Sequence, residues 1–219
     1  MILRDKYRSP RVVAFSKPHW FAVFVVLFCF AGVGVSRADE KAARAEAFIQ
    51  GVADEAVSAL TQPTLSRKER EARSRQLLNE HFAVPAIGQW VLGRYWRTAT
   101  PVERETYLKL FEDLIVLTYV DRFQRYSGER LQVTRSLVDE GSGDVLVYSE
   151  IVRPGSSSPL DVSWRLRPQG NDFKIIDVFV EGVSLGQTQR AEFTATLSRN
   201  HGKMEALFAE MRKRIAQES

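Results

Sequence analysis

Two histidines and a few carboxylates are the side chains beyond residue 38 that could do acid–base or metal chemistry. His81 follows a charged stretch and His201 lies in an Asn-His-Gly turn, and neither has the H-x-x-x-H spacing of a metal site. Asp177 and Glu181 could act as general acid and base, but four residues along a strand separate them by about 13 Å. No G-x-S-x-G, P-loop or dinucleotide motif occurs. We therefore expect both histidines to be surface or helix-capping residues, and we expect no catalytic residue, no metal and no cofactor.

The segment Trp90–Arg97 combines three aromatic rings with two guanidinium groups, those of Arg94 and Arg97. Arginine binds phosphate in a bidentate manner, so the two arginines could form a rim around the phosphate of a lipid headgroup. The alternative, which composition alone favours, is aromatic packing in the core with arginines at the surface.

The N-terminus predicts export. Residues 1–19 carry five basic residues against one acid, residues 20–35 carry no charge, and small residues flank Arg37. A basic segment, a short apolar core and a small-x-small exit are typical of a secretory signal peptide. We expect cleavage before Asp39 and a periplasmic protein. A retained membrane anchor is the alternative, because sixteen apolar residues fall just short of the roughly 17–25 that span a bilayer.

Removal of residues 1–38 would change the charge of the chain. This segment holds six of the 31 Lys and Arg residues and one of the 27 acidic residues, so the formal charge of +4 falls to about −1. A near-neutral domain lacks the basic footprint of a nucleic-acid-binding protein. Cys29, the only cysteine, leaves with the segment, so we expect neither a disulfide nor thiol chemistry.

Helices are expected on both sides of a central group of strands. They are predicted at residues 40–60, from the Ser66–Glu69 capping box onward, after Pro85, and at 101–127, 184–200 and 203–216. Thr100-Pro-Val-Glu103 combines an N-cap, an N1 proline and a capping glutamate, and Gly128 is expected to end that helix. Apolar residues surround its middle on all sides, which indicates burial.

Period-two alternation predicts four strands, at residues 131–137, 145–152, 160–166 and 173–180. Leu160, Val162, Trp164 and Leu166 alternate with polar residues, so one face of the sheet should be dry and the other wet. Helices, a four-stranded antiparallel sheet and further helices make the predicted fold class α+β.

Four stretches of this chain resemble one family. They are Val91-Leu-Gly-Arg-Tyr-Trp-Arg-Thr-Ala-Thr100, residues 111–129, Phe173-Lys-Ile-Ile-Asp-Val-Phe-Val-Glu-Gly-Val-Ser-Leu185, and residues 190–202. The chain resembles the MlaC family, the toluene-tolerance type auxiliary component of a lipid ABC transport system, over residues 46–216. A hopanoid-associated branch of the same family is an alternative.

The resemblance implies an NTF2-like sheet wrapped by N- and C-terminal helices around a pocket for phospholipid chains. It also implies a shuttle between an inner-membrane ABC/MCE complex and an outer-membrane lipoprotein complex, with a role in outer-membrane lipid asymmetry. Strand alternation and the buried helix predict the pocket wall, although the face of the second strand is a guess. The predicted wall residues are Ile115, Tyr119, Val147, Val162, Trp164, Val178 and Val180.

We expect a signal peptide at 1–38 and one lipid-binding domain at 39–219, with a helical part (39–128), a sheet (129–183) and C-terminal helices (184–219). Two other functions stay open. An NTF2-like enzyme would hold a buried carboxylate or histidine with a perturbed pKa. A structural adaptor of an envelope complex would have a filled core.

Overall fold

The computed structural model describes residues 37–218, in which helices precede and follow an antiparallel sheet. The helices are α1 (Arg37–Leu60), α2 (Arg67–His81), α3 (Val84–Leu92), α4 (Arg94–Thr98), α5 (Pro101–Gln124), α6 (Leu185–Arg199) and α7 (Met204–Glu218). The strands are β1 (Arg130–Val138), β2 (Val145–Val152), β3 (Leu160–Gln169), β4 (Asp172–Val180) and β5 (Val183–Ser184). This order confirms the α+β class. The predicted signal peptide and Cys29 lie outside the described residues.

The helix starts follow local capping chemistry. Ser66 accepts a hydrogen bond from the Glu69 backbone N–H while the Glu69 carboxylate accepts one from the Ser66 backbone, and Thr100 and Glu103 repeat the arrangement at α5. Both capping boxes were expected, because each satisfies two backbone donors that a helix start leaves free. Helix α5 ends at Gln124, before the predicted residue 127, and Gly128 with a φ of 98° belongs to the turn that leads into β1.

The sheet has the order β1-β2-β3-β4-β5, with every neighbouring pair antiparallel. The prediction of four strands was wrong by one, because Val183 and Ser184 pair with the end of β4 after a tight turn. Two residues are too few to show an alternating pattern in a sequence. Nearer the start of β4, on the same edge as β5, the Ala83 backbone N–H donates to the Ile175 carbonyl and attaches the start of α3 to the sheet.

Buried apolar side chains form two separate clusters. The sheet cluster joins Ala45 and Ile49 of α1 to residues of the sheet face, which are Val145, Val147, Leu166, Phe173 and Ile175. The helical cluster is built from α2, α3, α5, α6 and α7 around Tyr107, Phe111 and Phe193. Phe82 packs against both clusters. No helix within residues 37–218 is long and apolar enough to cross a membrane.

Candidate functional site

The strand register puts all five predicted wall residues of the sheet on one face. Val147, Trp164 and Val178 are opposite one another in one cross-strand row, and Val162 and Val180 share the next row with Ser149. Directly opposed residues of antiparallel strands point to the same face. The structure therefore brings these five side chains together.

A β-bulge in β4 makes this face continuous. Arg165 is opposite Asp177 but Leu166 is opposite Ile175, so Ile176 is the extra residue. An extra residue shifts the alternation of side chains by one position. Ile175 and Val178 consequently lie on the same face, although strict alternation would put them on opposite faces.

Ser149, the polar side chain in the same cross-strand row as Val162, is hydrogen-bonded to its neighbours. Ser149 Oγ donates to the Val162 carbonyl oxygen at 2.8 Å and accepts a hydrogen bond from Trp164 Nε1 at 3.0 Å. The Ser149 hydroxyl and the Trp164 indole N–H therefore both have hydrogen-bond partners within the sheet, which keeps this end of the face apolar towards a ligand.

Four buried apolar residues within 37–218 belong to neither cluster: Leu60, Leu117, Val120 and Val162. They come from the end of α1, the second half of α5 and the sheet face. Because these residues lie outside both packed clusters, we treat them as candidates for the wall of a ligand site. Of these four, the sequence predicted only Val162.

Helix α5 presents two different faces in this region. Successive residues of an α-helix are rotated by about 100°, so Ile115 and Tyr119 share one face while Leu117 and Val120 lie nearly opposite. Ile115 is half-buried and packs against the helical cluster, and Tyr119 is half-buried. Leu117 and Val120 are buried. Because the helix is apolar on all sides, its sequence could not show which pair lines a cavity.

Arg94 and Arg97 line an open groove of about 790 Å³. Its lining residues are Arg94, Tyr95, Arg97, Thr98, Ser198, His201 and Gly202, and none of the seven predicted wall residues is among them. A second open groove of about 370 Å³ shares Arg97 and is lined by Trp90, Trp96 and Arg190 together with Ala86, Gln89 and Gly93. We refer to the two together as the arginine groove.

Aromatic rings hold two arginines of this groove. The Arg94 guanidinium lies 4.9 Å from the Tyr95 ring centroid and donates to the Tyr95 hydroxyl at 2.9 Å. Hydrogen bonds from Ser198 and from Arg94 lower the pKa of Tyr95. Arg190 lies 5.1 Å from the Trp90 ring centroid and donates to the Trp90 carbonyl at 2.9 Å. A Cβ on Gly93, whose φ is 62°, would lie 3.1 Å from Arg190 Nη2, so glycine allows this close approach.

The candidate acid–base residues have structural partners. Asp177 accepts hydrogen bonds from Ser184 Oγ at 2.6 Å and from the Gly186 backbone N–H at 3.2 Å at the start of α6. Glu181 accepts one from the Asp161 backbone N–H at 2.9 Å. Burial raises the pKa of Tyr107, whose hydroxyl donates to the Gly88 carbonyl at 3.0 Å. These contacts fix turns and helices, and they leave each group engaged with the protein itself.

The two histidines occupy different environments. His201 is exposed, as expected. His81 lies in the last turn of α2, and its half-buried side chain is 12% exposed and lies 2.9 Å from a Glu55 carboxylate oxygen. Glu55, Glu80 and His81 bring their ligand atoms within 4.8 Å of one another, and the His81 ring meets Phe48 edge-on. Phe48 and Glu55 both belong to α1, so these contacts account for the position of the His81 side chain against that helix.

A model of the MlaC protein family matches residues 50–213. The chain belongs to the MlaC family. The intermembrane phospholipid transport system binding protein MlaC of Haemophilus influenzae is 25% identical over 100 residues, which are 45% of this chain and 47% of that protein. The match thus spans about half the length of this relative.

The fold is also similar to that of a solved structure. A phospholipid-binding protein from Ralstonia solanacearum, solved in complex with a phospholipid, matches with a TM-score of 0.69 and 22% identity. The match covers 80% of this chain and 98% of the other. At this level of identity the similarity establishes the shared fold of these two proteins.

Proposed function

We propose that this member of the MlaC family binds a phospholipid and carries it through the periplasm, between an inner-membrane ABC/MCE complex and an outer-membrane lipoprotein complex. The apolar sheet face at Val162 carries this proposal, because it continues the face of the sheet cluster with a buried valine that belongs to neither packed cluster. Family membership and the lipid-bound Ralstonia solanacearum structure support the same function.

The proposed wall combines the seven residues predicted from the sequence with Leu60, Leu117 and Val120. Its chemistry suits acyl chains, since each CH₂ left in water costs about 0.8 kcal/mol. Two chains of about sixteen carbons would cost on the order of 25 kcal/mol, so free diffusion of the lipid through water is negligible. A carrier that shields the chains removes most of this barrier, and the chains supply the affinity.

We further propose that the protein is a carrier and not an enzyme. Asp177 and Glu181 each hold a backbone N–H or a neighbouring hydroxyl. Tyr107 is buried within the helical cluster and bonded to a carbonyl. Each of these groups therefore has a hydrogen-bond partner within the protein. The placement of Arg94 and Arg97 at the headgroup rim stays a prediction, and so does the division of residues 39–219 into one lipid-binding domain.

Native mass spectrometry of protein purified without detergent tests the proposed function. We expect a mass above that of the bare chain and a phospholipid in the organic extract, with a filled-core periplasmic protein of similar size as the control. A hopanoid in the extract would instead identify the hopanoid-associated branch. A bare mass in every preparation, together with no uptake of added phospholipid, would overturn the proposal.

A further inference from the structure

Three arginines of the arginine groove have no acidic partner. Within residues 37–218, none of the ion pairs involves Arg94, Arg97 or Arg190. No carboxylate lines either part of the groove, whereas hydroxyl groups and His201 do. The chain after residue 38 has a net charge of about −1, so this positive surface is a local feature.

The positive groups are pre-positioned. Arg94 and Arg190 are each held by a ring and by a hydrogen bond, to Tyr95 and to Trp90 respectively. A guanidinium that is fixed in this way loses less side-chain entropy when it binds an anion. Its remaining N–H groups suit the oxygens of a phosphate.

An exposed tryptophan accompanies the arginines. Trp90 is 42% exposed, and it lines the second part of the groove together with Arg190, whose guanidinium lies over its ring. Tryptophan beside arginine is typical of surfaces that lie at the headgroup level of a membrane. Both parts of the groove are open, which suits a flat array of headgroups. We propose that the arginine groove docks this protein on the anionic phosphate headgroups of a bilayer.

This docking surface lies away from the wall residues that α5 is proposed to supply. Arg104 Nε donates to the Trp96 carbonyl, which places α4 beside the first turn of α5. Residues 115–120 follow Arg104 by 11 to 16 positions, which corresponds to roughly 16–24 Å along the helix. In this proposal Arg94 and Arg97 bind headgroups of the bilayer and not the headgroup of the carried lipid. It therefore differs from their predicted place at a headgroup rim, and it does not rest on the proposed function.

Co-sedimentation with vesicles tests the docking surface. Protein from the soluble fraction of cells that express the full chain is mixed with phosphatidylcholine vesicles that contain about 30% phosphatidylglycerol, or none. We expect binding only to the anionic vesicles, and weaker binding at high salt. The double variant R94Q/R97Q should bind about 30-fold more weakly, since each arginine near a membrane contributes roughly fivefold.

A matched double variant separates the groove from net charge. Arg135 and Arg165 also lie over aromatic rings, those of Tyr148 and Phe179, but on the sheet. R135Q/R165Q removes the same charge and should bind the anionic vesicles as the unchanged protein does. An equal loss of vesicle binding in both double variants, or no preference of the unchanged protein for anionic vesicles, would overturn the proposal. The proposal would also be overturned if the R94Q/R97Q variant kept its vesicle binding but lost its copurified lipid. Binding of acidic peptides without any binding of anionic vesicles would overturn it as well.

Discussion

Replacing Val162 with Asp distinguishes a lipid cavity from a filled core. Val162 is 4% exposed and belongs to neither packed cluster, whereas Leu166, four residues along β3 on the same face, is 0% exposed within the sheet cluster. The two positions share strand, face and depth. They differ in whether they belong to the packed sheet cluster, so each of the variants V162D and L166D is a control for the other.

The two variants should differ in stability by several kcal/mol. At Leu166, the lost side chain costs about 2–5 kcal/mol and an unpaired buried carboxylate costs several more. Together these approach the total stability of about 5–15 kcal/mol. At Val162, water enters the empty cavity and hydrates the carboxylate, so the loss is that of one buried valine, about 1.5–3 kcal/mol. That loss lowers Tm by about 3–12 °C.

Circular dichroism melting and lipid extraction on the same samples measure the outcome. We expect L166D to be unfolded and V162D to be folded with little or no copurified lipid. If V162D unfolds as L166D does, the space beside Val162 is solid core. If V162D folds and retains its full lipid load, Val162 does not line the pocket.

Three further predictions concern the helix start, acid stability and processing. The D177A variant should have a free energy of unfolding lower by about 1–2 kcal/mol in a urea titration, because the N-cap residue Ser184 of α6 loses its hydrogen bond to the Asp177 carboxylate. An unchanged midpoint of unfolding would contradict this role of Asp177. Hydrogen bonding from Thr196, assisted by a neighbouring arginine, lowers the pKa of Glu210, so its stabilisation is present above the unfolded pKa near 4.5 and is lost as the pH falls through the lower folded value. In the E210Q variant, the free energy of unfolding should therefore fall less steeply as the pH is lowered than it does in the unchanged protein. The same dependence on pH in both proteins would refute this. Intact mass of exported protein should show an N-terminus at Asp39, whereas a full-length product in the membrane fraction would indicate an anchor.

The helix starts could be predicted because their determinants are local. Ser66 with Glu69, and Thr100 with Glu103, satisfy backbone donors within one turn, so four consecutive residues carry the signal. The end of α5 was predicted at residue 127 and lies at Gln124, since Gly128 adopts its positive φ in the following turn and not at the helix terminus. A glycine after a helical pattern marks a nearby stop without fixing its position.

The sheet face was harder to predict than the strands. Regular alternation in β3 indicates its dry side directly, but the bulge at Ile176 shifts the alternation within β4. A bulge depends on pairing with a neighbouring strand and leaves no local pattern. The choice between the Ile115 and Leu117 faces of α5 also depends on tertiary packing, because both are apolar.

A crystal structure of the protein purified with its own lipid tests the central claim most directly. We predict acyl-chain density against the sheet face at Val162 and Val180, with the opposite wall formed by α5 and the end of α1. The arginine groove should be free of acyl chains. Continuous side-chain packing between Val162 and α5, with no lipid density there, would contradict the proposal that this face holds a lipid.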